Sequence, residues 1–258
     1  MKKYSPKGYV SEIIPCHNSR KLSIEDRMLN KLNLFAQTNP IYFNEIDLIV
    51  DGIICKSYEG DINDYWLSSK KYDTSYQPFY PTWILSAYAL ALEAKKMGFT
   101  ELVDVGSGDG RIAYCGAALG LESFSIEIDM DLTLLQHKLS RLTNIHYEIL
   151  NADATTFEYN SLKLSHPIFF ISGLPELGDV LAKTVIKKVR EIRNLNCSIG
   201  FNFMGSHKMR DYTQDRTKWG WGNIIDLFQL EVLSCITLPT LWTNDQEIGT
   251  AYVYTQST

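Results

Sequence analysis

Three acidic stretches and one glycine run hold the residues with which this chain could do chemistry. The first is Val103-Asp-Val-Gly-Ser-Gly-Asp-Gly-Arg111, in which Gly106, Gly108 and Gly110 follow an apolar run, with Asp104 before them and Asp109 among them. Glycines so closely spaced let a backbone turn tightly and let a ligand approach it. A strand, such a turn and then a helix bring backbone N–H groups and a helix N-terminus to one point. The second stretch, Ser125-Ile-Glu127-Ile-Asp129, ends the next apolar run. It stands about 20 residues on, where a carboxylate can accept both hydroxyls of a ribose. The third is Asn151-Ala-Asp153, where an acid can accept from an adenine amino group. An acid there also suits a turn or a helix cap. The glycine pattern is not the dinucleotide one, because Arg111 stands where G-x-G-x-x-G has its third glycine. A bulky residue at that point disfavours a pyrophosphate site. Gly110 suits a ligand lying flat against the loop, and Arg111 reads as a first-turn surface residue.

The elements that must position these residues follow from periodicity. Apolar runs at 102–105, 123–128, 145–150, 168–171 and 197–204 read as strands. Helical patterns fall between them at 110–119, 130–142 and 176–193. A helix over 83–96, capped by Thr82 and closed by Gly98, precedes the first strand. This alternation predicts an α/β fold with a doubly wound, mostly parallel sheet. The rhythm breaks at the end, where 228–238 and 248–256 form an antiparallel hairpin that completes seven strands. Residues 1–77 read as a helical or irregular N-terminal accessory segment, with one helix over about 24–36 started by Ser23 and Asp26. Residues 78–258 form the main domain.

On VDVGSGDGR, SIEID, NADA and the terminal strand pair, the chain resembles the class I S-adenosylmethionine-dependent methyltransferases over about residues 80–258. The resemblance implies S-adenosyl-L-methionine as cofactor. It sets Asp104, Gly106, Ser107, Gly108 and Gly110 against the methionine part, Glu127 against the ribose and Asp153 against the adenine. Thr82 and Ser172 join the cofactor contacts. Another nucleotide-binding α/β domain would also present a glycine loop and a ribose acid.

The segment after the fourth strand usually reports the acceptor. Here it is Phe169-Phe170-Ile-Ser172-Gly-Leu-Pro175-Glu176. It lacks the Asn/Asp-Pro-Pro-Tyr/Phe tetrapeptide of base-amine methylation, and it holds no cysteine for pyrimidine carbon methylation. It is similar to the segment of the ATP synthase c-subunit and archaeal protein lysine methyltransferases. Phe79-Tyr80-Pro81-Thr82 and Gly249-Thr-Ala-Tyr252-Val-Tyr254 match two further motifs of that group. The resemblance implies a protein lysine as acceptor, with Tyr80 and Glu176 as catalytic candidates and Tyr80 and Thr82 folding over the cofactor. A free lysine has a pKa of about 10.4 and must lose a proton before attack. An apolar aromatic channel lowers that value, and Tyr80, Phe170, Trp219 and Trp221 could wall one. Glu176 could take the proton, or could serve the helix dipole at its N-terminus. Alternatives are a small-molecule or RNA acceptor, or a scaffold that binds the cofactor without turnover.

Composition narrows the field. The net charge of -5 does not favour a nucleic-acid partner bound through phosphates. Five scattered cysteines and five histidines show no metal or disulfide spacing, which predicts free thiols in a reducing compartment and no metal site. No apolar run is long enough to cross a bilayer. The expectation is a cytoplasmic protein.

Overall fold

The computed structural model describes residues 9–20, 23–65, 79–171, 175–192, 199–204, 221–239 and 249–257, with the side chains of 175–177, 204, 239 and 249 outside that description. The predicted alternation is realised as α2 (Ile84–Lys96), β4 (Glu101–Val105), α3 (Arg111–Ala118), β5 (Glu122–Glu127), α4 (Met130–Thr143), β6 (Glu148–Asn151), β7 (Pro167–Ile171), α5 (Pro175–Arg190) and β8 (Ile199–Met204). A short α6 (Gly222–Leu227) leads into β9 (Glu231–Pro239) and β10 (Gly249–Ser257). The sheet order is β6-β5-β4-β7-β8-β10-β9. All pairs from β6 to β8 are parallel, and β10 runs against both its neighbours. The chain winds from β4 to one side through β5 and β6, then returns to β7 and β8 on the other. Such a reversal opens a crevice at the carboxyl ends of the two central strands, here β4 and β7.

Both central strands are buried along their whole length, as a parallel sheet covered on two faces requires. One face carries Leu102, Ile168, Phe170, Tyr252 and Tyr254 into a core shared with α2 and α3. The other carries Val103, Val105, Phe169, Phe201 and Val253 against α5 and α6. On that second face Phe169, Phe201, Phe203 and Trp221 stack in sequence, with centroids 5.2–6.2 Å apart. This corrects two sequence assignments. Trp221 is fully buried in that stack, and Phe170 is buried edge-on against Tyr254, so neither walls a substrate channel. The close helix–strand approach that the dinucleotide pattern gives to its third glycine is made by Gly116 instead. A Cβ there would lie 2.6 Å from Ser123 Oγ and 3.0 Å from Leu102 Cδ1.

The N-terminal segment carries the expected helix, but where irregular chain was expected it forms a sheet. It holds β1 (Tyr9–Pro15), α1 (Asp26–Thr38), β2 (Tyr42–Val50) and β3 (Ile53–Asp61), with the strands in an antiparallel sheet of order β1-β3-β2. Asp51 and Gly52 both take positive φ at the β2–β3 turn, the geometry that matches strand twist in a two-residue hairpin. Leu29, Leu32, Phe35 and Ala36 form the buried stripe of α1. They join Val10, Ile14, Tyr58, Leu90, Leu102 and Ile112 in one continuous core, so the segment is packed into the main domain.

Thr82 does not cap α2. The N-cap residue is Trp83, which gives no side-chain cap. The Ile84 N–H instead donates to Glu12 Oε2 at 2.8 Å, a carboxylate reaching in from β1. A negative charge there also complements the helix dipole.

Candidate functional site

β4 ends at Val105, and the chain then turns through three glycines of positive φ: 69° at Gly106, 59° at Gly108 and 76° at Gly110. L-residues other than glycine reach that region only at a cost. The turn is braced from below. Gln136 of α4 donates from Nε2 to the Gly108 carbonyl at 2.7 Å and to Ser107 Oγ at 2.9 Å, and its Oε1 accepts from Ser125. Ser107 Oγ also lies 2.6 Å from Ser125 Oγ, so the side chain expected at the cofactor is spent in the floor of the loop. Gly110 must stay small, because a Cβ would meet Tyr147 Oη at 2.5 Å and Gln136 Oε1 at 2.7 Å. Above Gly108 lies Phe79, whose ring a Cβ would meet at 2.6 Å. No atom of the described residues stands within 4 Å of the corresponding point on Gly106.

Four carboxylates gather around this turn. Asp104, on β4, is buried, and among the described residues neither oxygen makes a hydrogen bond of normal geometry, although the Ala113 backbone N–H at the start of α3 faces it. Burial pushes its pKa up to about 8; the Ala113 backbone N–H opposes the shift, and the charges of Glu127 and Asp109 add to it. Glu127, at the end of β5, accepts from the Gly108 N–H at 2.7 Å and the Asp129 N–H at 2.9 Å. Burial raises it to about 7, against the pull of those two N–H groups. Asp129 caps α4 through the Asp131 N–H, and its buried Oδ2 has no partner among the described residues. Asp109 is buried within the loop and faces Arg111. Buried carboxylates are ordinarily paired or hydrogen-bonded. The Asp104 carboxylate and the open oxygen of Asp129 therefore mark a site able to take hydroxyl or ammonium donors.

Asp153 follows β6 and holds an Asx turn, its Oδ1 accepting from Thr155 N and Oγ1 at 2.8 and 2.7 Å. The Thr82 side chain faces the buried Tyr252 hydroxyl, which burial raises to about 12. Tyr80 is turned outward and 43% exposed, whereas its neighbour Phe79 is the residue laid over the loop. Ser172, Trp219 and the Glu176 side chain lie outside the described residues. The structure thus brings Asp104, Gly106, Gly108, Gly110 and Glu127 to one turn, with Asp153 on the adjacent strand end.

Arg111 is not a surface residue. It is 2% exposed and gives both edges of its guanidinium to buried acids. Nε and Nη2 donate to the two oxygens of Asp109 at 2.9 and 2.6 Å, and Nη1 donates to Glu12 Oε1 at 2.6 Å and to the Thr82 carbonyl. Sequence reasoning missed Phe79, Gln136, Asp109 and Glu12 as parts of the site. Asp109 lies inside the glycine run itself, and an Asp-x-Arg pair there was the available signal.

Among the described residues no group of three or more His, Cys, Asp or Glu is placed to hold a metal ion. Four described cysteines are free thiols. No described helix is long and apolar enough to cross a membrane.

No family model matches this chain, and no curated protein matches it in sequence. Solved structures do share its fold. An O-methyltransferase from Bacillus cereus, solved in complex with SAH, superposes with a TM-score of 0.50 at 12% identity, over 70% of this chain and 84% of its own. A protein from Pyrococcus horikoshii, proposed to be an RNA methyltransferase, gives 0.50 at 15% identity, over 76% and 98%. One from Klebsiella pneumoniae, proposed to be an O-methyltransferase, gives 0.50 at 9% identity, over 76% and 89%. This chain has the Rossmann-like fold of class I methyltransferases, and at these identities the likeness is one of fold alone.

Proposed function

We propose that the chain is an S-adenosylmethionine-dependent methyltransferase, with the cofactor on the β4–α3 loop and the acceptor over the carboxyl ends of β4, β7 and β8. The observation that carries this is Asp104, a buried carboxylate with no well-formed hydrogen bond among the described residues, on the strand that leads into three glycines of positive φ. A ligand with an ammonium group answers that demand, and no atom of the described residues lies over Gly106 to exclude it. Glu127 and the open oxygen of Asp129 suit ribose hydroxyls, and Asp153 stands at the strand end on the adenine side. Thr82 and Ser172 keep their assignment as cofactor contacts, and Tyr80 and Glu176 as catalytic candidates. Bound there, the cofactor supplies a methyl already activated on a sulfonium. The protein's own task is then alignment of a lone pair and exclusion of water, and alignment alone contributes about 7–11 kcal/mol in favourable cases.

The acceptor is better read as a small molecule than as a protein lysine. Phe170 and Trp221, two of the four aromatics proposed to wall a lysine channel, belong to the core. The fold neighbours include O-methyl and proposed RNA methyltransferases. The net charge of -5 weighs against RNA held through its phosphates. The lysine reading rests on three short motifs, the Phe169–Glu176 segment, Phe79-Tyr80-Pro81-Thr82 and the last strand.

The test is label transfer. The protein is incubated with methyl-tritiated S-adenosylmethionine and an extract of its source, and label is sought in the small-molecule, nucleic-acid and protein fractions. Label in small molecules supports the reading, label in protein that survives nuclease and base restores the lysine, and cofactor bound without label anywhere removes the catalytic claim. In a parallel titration Glu127→Ala is expected to weaken cofactor binding by about 1–3 kcal/mol, the loss of a buried charged acceptor. Wild-type affinity in a folded Glu127→Ala protein would move the ribose elsewhere.

A further inference from the structure

Four of the contacts that fix the glycine loop come from outside the domain that bears it. Asp109 stands between Gly108 and Gly110, the two positions whose positive φ sets the direction of the loop's peptide groups. Its carboxylate is held on three sides: by Nε and Nη2 of Arg111, and by Asn39 Nδ2 at 2.9 Å from the end of α1. Arg111 is held in turn. Its Nη1 donates to Glu12 Oε1, its Nη2 lies 3.4 Å from the Tyr42 hydroxyl of β2, and its guanidinium sits 5.6 Å from the ring centroid of Phe35 in α1. Tyr42 also donates to Glu12. Glu12 completes the circuit at the Ile84 N–H, while the Thr82 carbonyl takes Arg111 Nη1, so the segment entering α2 is fixed by the same groups. Glu12, Asp109 and Arg111 are each no more than 2% exposed.

Stability alone gives no reason for this arrangement. A cation in the first turn of α3 opposes the helix dipole. A buried ion triad is often replaceable by apolar side chains without loss. What the triad does supply is direction. A guanidinium fork fixes the plane of a carboxylate as no apolar contact does.

We propose that Arg111 is a positioning residue for the cofactor: it clamps the N-terminal β-sheet module to the glycine loop through Glu12 and Asp109, so that residues 9–61 set the geometry of the loop and the seating of the Pro81-Thr82 segment beside it. The proposal rests on the reading that S-adenosylmethionine binds this loop. In that case the N-terminal module is part of the cofactor site through the loop that it holds.

The full-length chain carries the test, with Arg111→Met, Arg111→Lys and Tyr42→Phe. Three quantities are measured: the unfolding midpoint and, well below it, amide hydrogen exchange across residues 106–111 relative to β4 and β5 and calorimetric affinity for S-adenosylmethionine. Arg111→Met is expected to speed loop exchange by roughly tenfold or more over the strand amides and to weaken binding by a similar factor. Arg111→Lys restores part of both, because one ammonium cannot fork Asp109 and reach Glu12 together. Tyr42→Phe, which loses a hydroxyl and keeps its ring, shows a smaller change in the same direction. A folded Arg111→Met with a lower midpoint but strand-like loop exchange and affinity within about twofold of wild type makes the triad structural only and overturns the proposal. If Arg111→Met does not fold, unchanged loop exchange and affinity in Tyr42→Phe overturn it equally. If the wild type binds no S-adenosylmethionine, the cofactor reading fails, and loop exchange alone still decides whether the clamp exists.

Discussion

Asp104→Asn is expected to do two opposite things: to stabilise the ligand-free protein at alkaline pH and to remove most of its affinity for S-adenosylmethionine. The first follows from linkage. Burial raises the folded-state pKa of Asp104 from the ordinary 3.8 to about 8. A carboxyl so raised contributes stability that is full below its unfolded pKa and is lost as pH climbs through its folded one. The wild type therefore loses stability between about pH 4 and about pH 8, as an unpartnered charge is forced on a buried site. Glu127, raised to about 7, adds a second loss in an overlapping window. Asparagine has no proton to lose there. At about pH 8–9 the variant should be more stable by about 1–3 kcal/mol, the usual penalty of a buried unpaired group. The second effect has the reverse sign because a bound ammonium favours the ionised acid. Wild-type affinity should rise with pH through about 7–8 and binding should release protons, seen as different apparent heats in buffers of different ionisation enthalpy. Asp104→Asn should lose the proton release with the affinity. Thermal midpoints across pH and paired-buffer calorimetry check both. A variant that binds like wild type shows that Asp104 does not serve the cofactor, and one less stable than wild type at about pH 9 shows that the buried charge is not the penalty.

Most of the sheet was legible because a strand buried on two faces has few ways to be written. Leu102–Val105 and Ile168–Ile171 are short apolar runs between helix-period segments, and both lie at the centre of the sheet. The terminal pair was legible for the opposite reason: two strands with no helical pattern between them break the rhythm, and β9 and β10 pair as expected. The N-terminal sheet carried a signal that composition hid. Asp51-Gly52 between two stretches of apolar residues is among the strongest local hairpin marks. The mark is masked because Asn, Asp, Glu and Lys interrupt both strands, and β2 has no buried residue to set an inward face.

The site was legible in a different measure. Gly106, Gly108, Gly110, Glu127 and Asp104 are near one another in sequence or at strand ends, and their residue types state their task. Arg111 was not legible. The sequence shows an arginine at a helix start, which is ordinarily solvated. Only the tertiary approach of Glu12, about 100 residues earlier, makes it a buried ion. Phe79 and Tyr80 show the same limit: adjacent aromatics point opposite ways in extended chain, and which one faced inward depended on where Gly108 lay.

The largest steric effect is expected at Gly108, and Gly106 is its control. Both have positive φ, so alanine at either strains the backbone by about 1–2 kcal/mol. They differ in what lies above them. A methyl on Gly108 would meet Phe79 Cε2 and Cδ2 at 2.6 and 2.7 Å, and that ring is itself buried edge-on against Tyr65. Gly108→Ala must therefore also displace a buried aromatic, and such overpacking adds about 1–3 kcal/mol. A methyl on Gly106 meets no atom of the described residues, so Gly106→Ala should cost the ligand-free protein only the backbone strain. Cofactor binding reverses this contrast. The space over Gly106 is where the proposal lays the methionine part, so Gly106→Ala should abolish binding in a protein that has lost little stability. Gly108→Ala loses binding because its loop is rearranged, and Gly108→Ala/Phe79→Ala should lose less stability than the two single losses added together, a non-additivity that touching residues show. Denaturant unfolding of the ligand-free proteins and calorimetry on the folded ones separate the two. Equal stability losses at both glycines would remove Phe79 from the roof of the loop. A stable Gly106→Ala that binds normally would remove the cofactor from the space beside it.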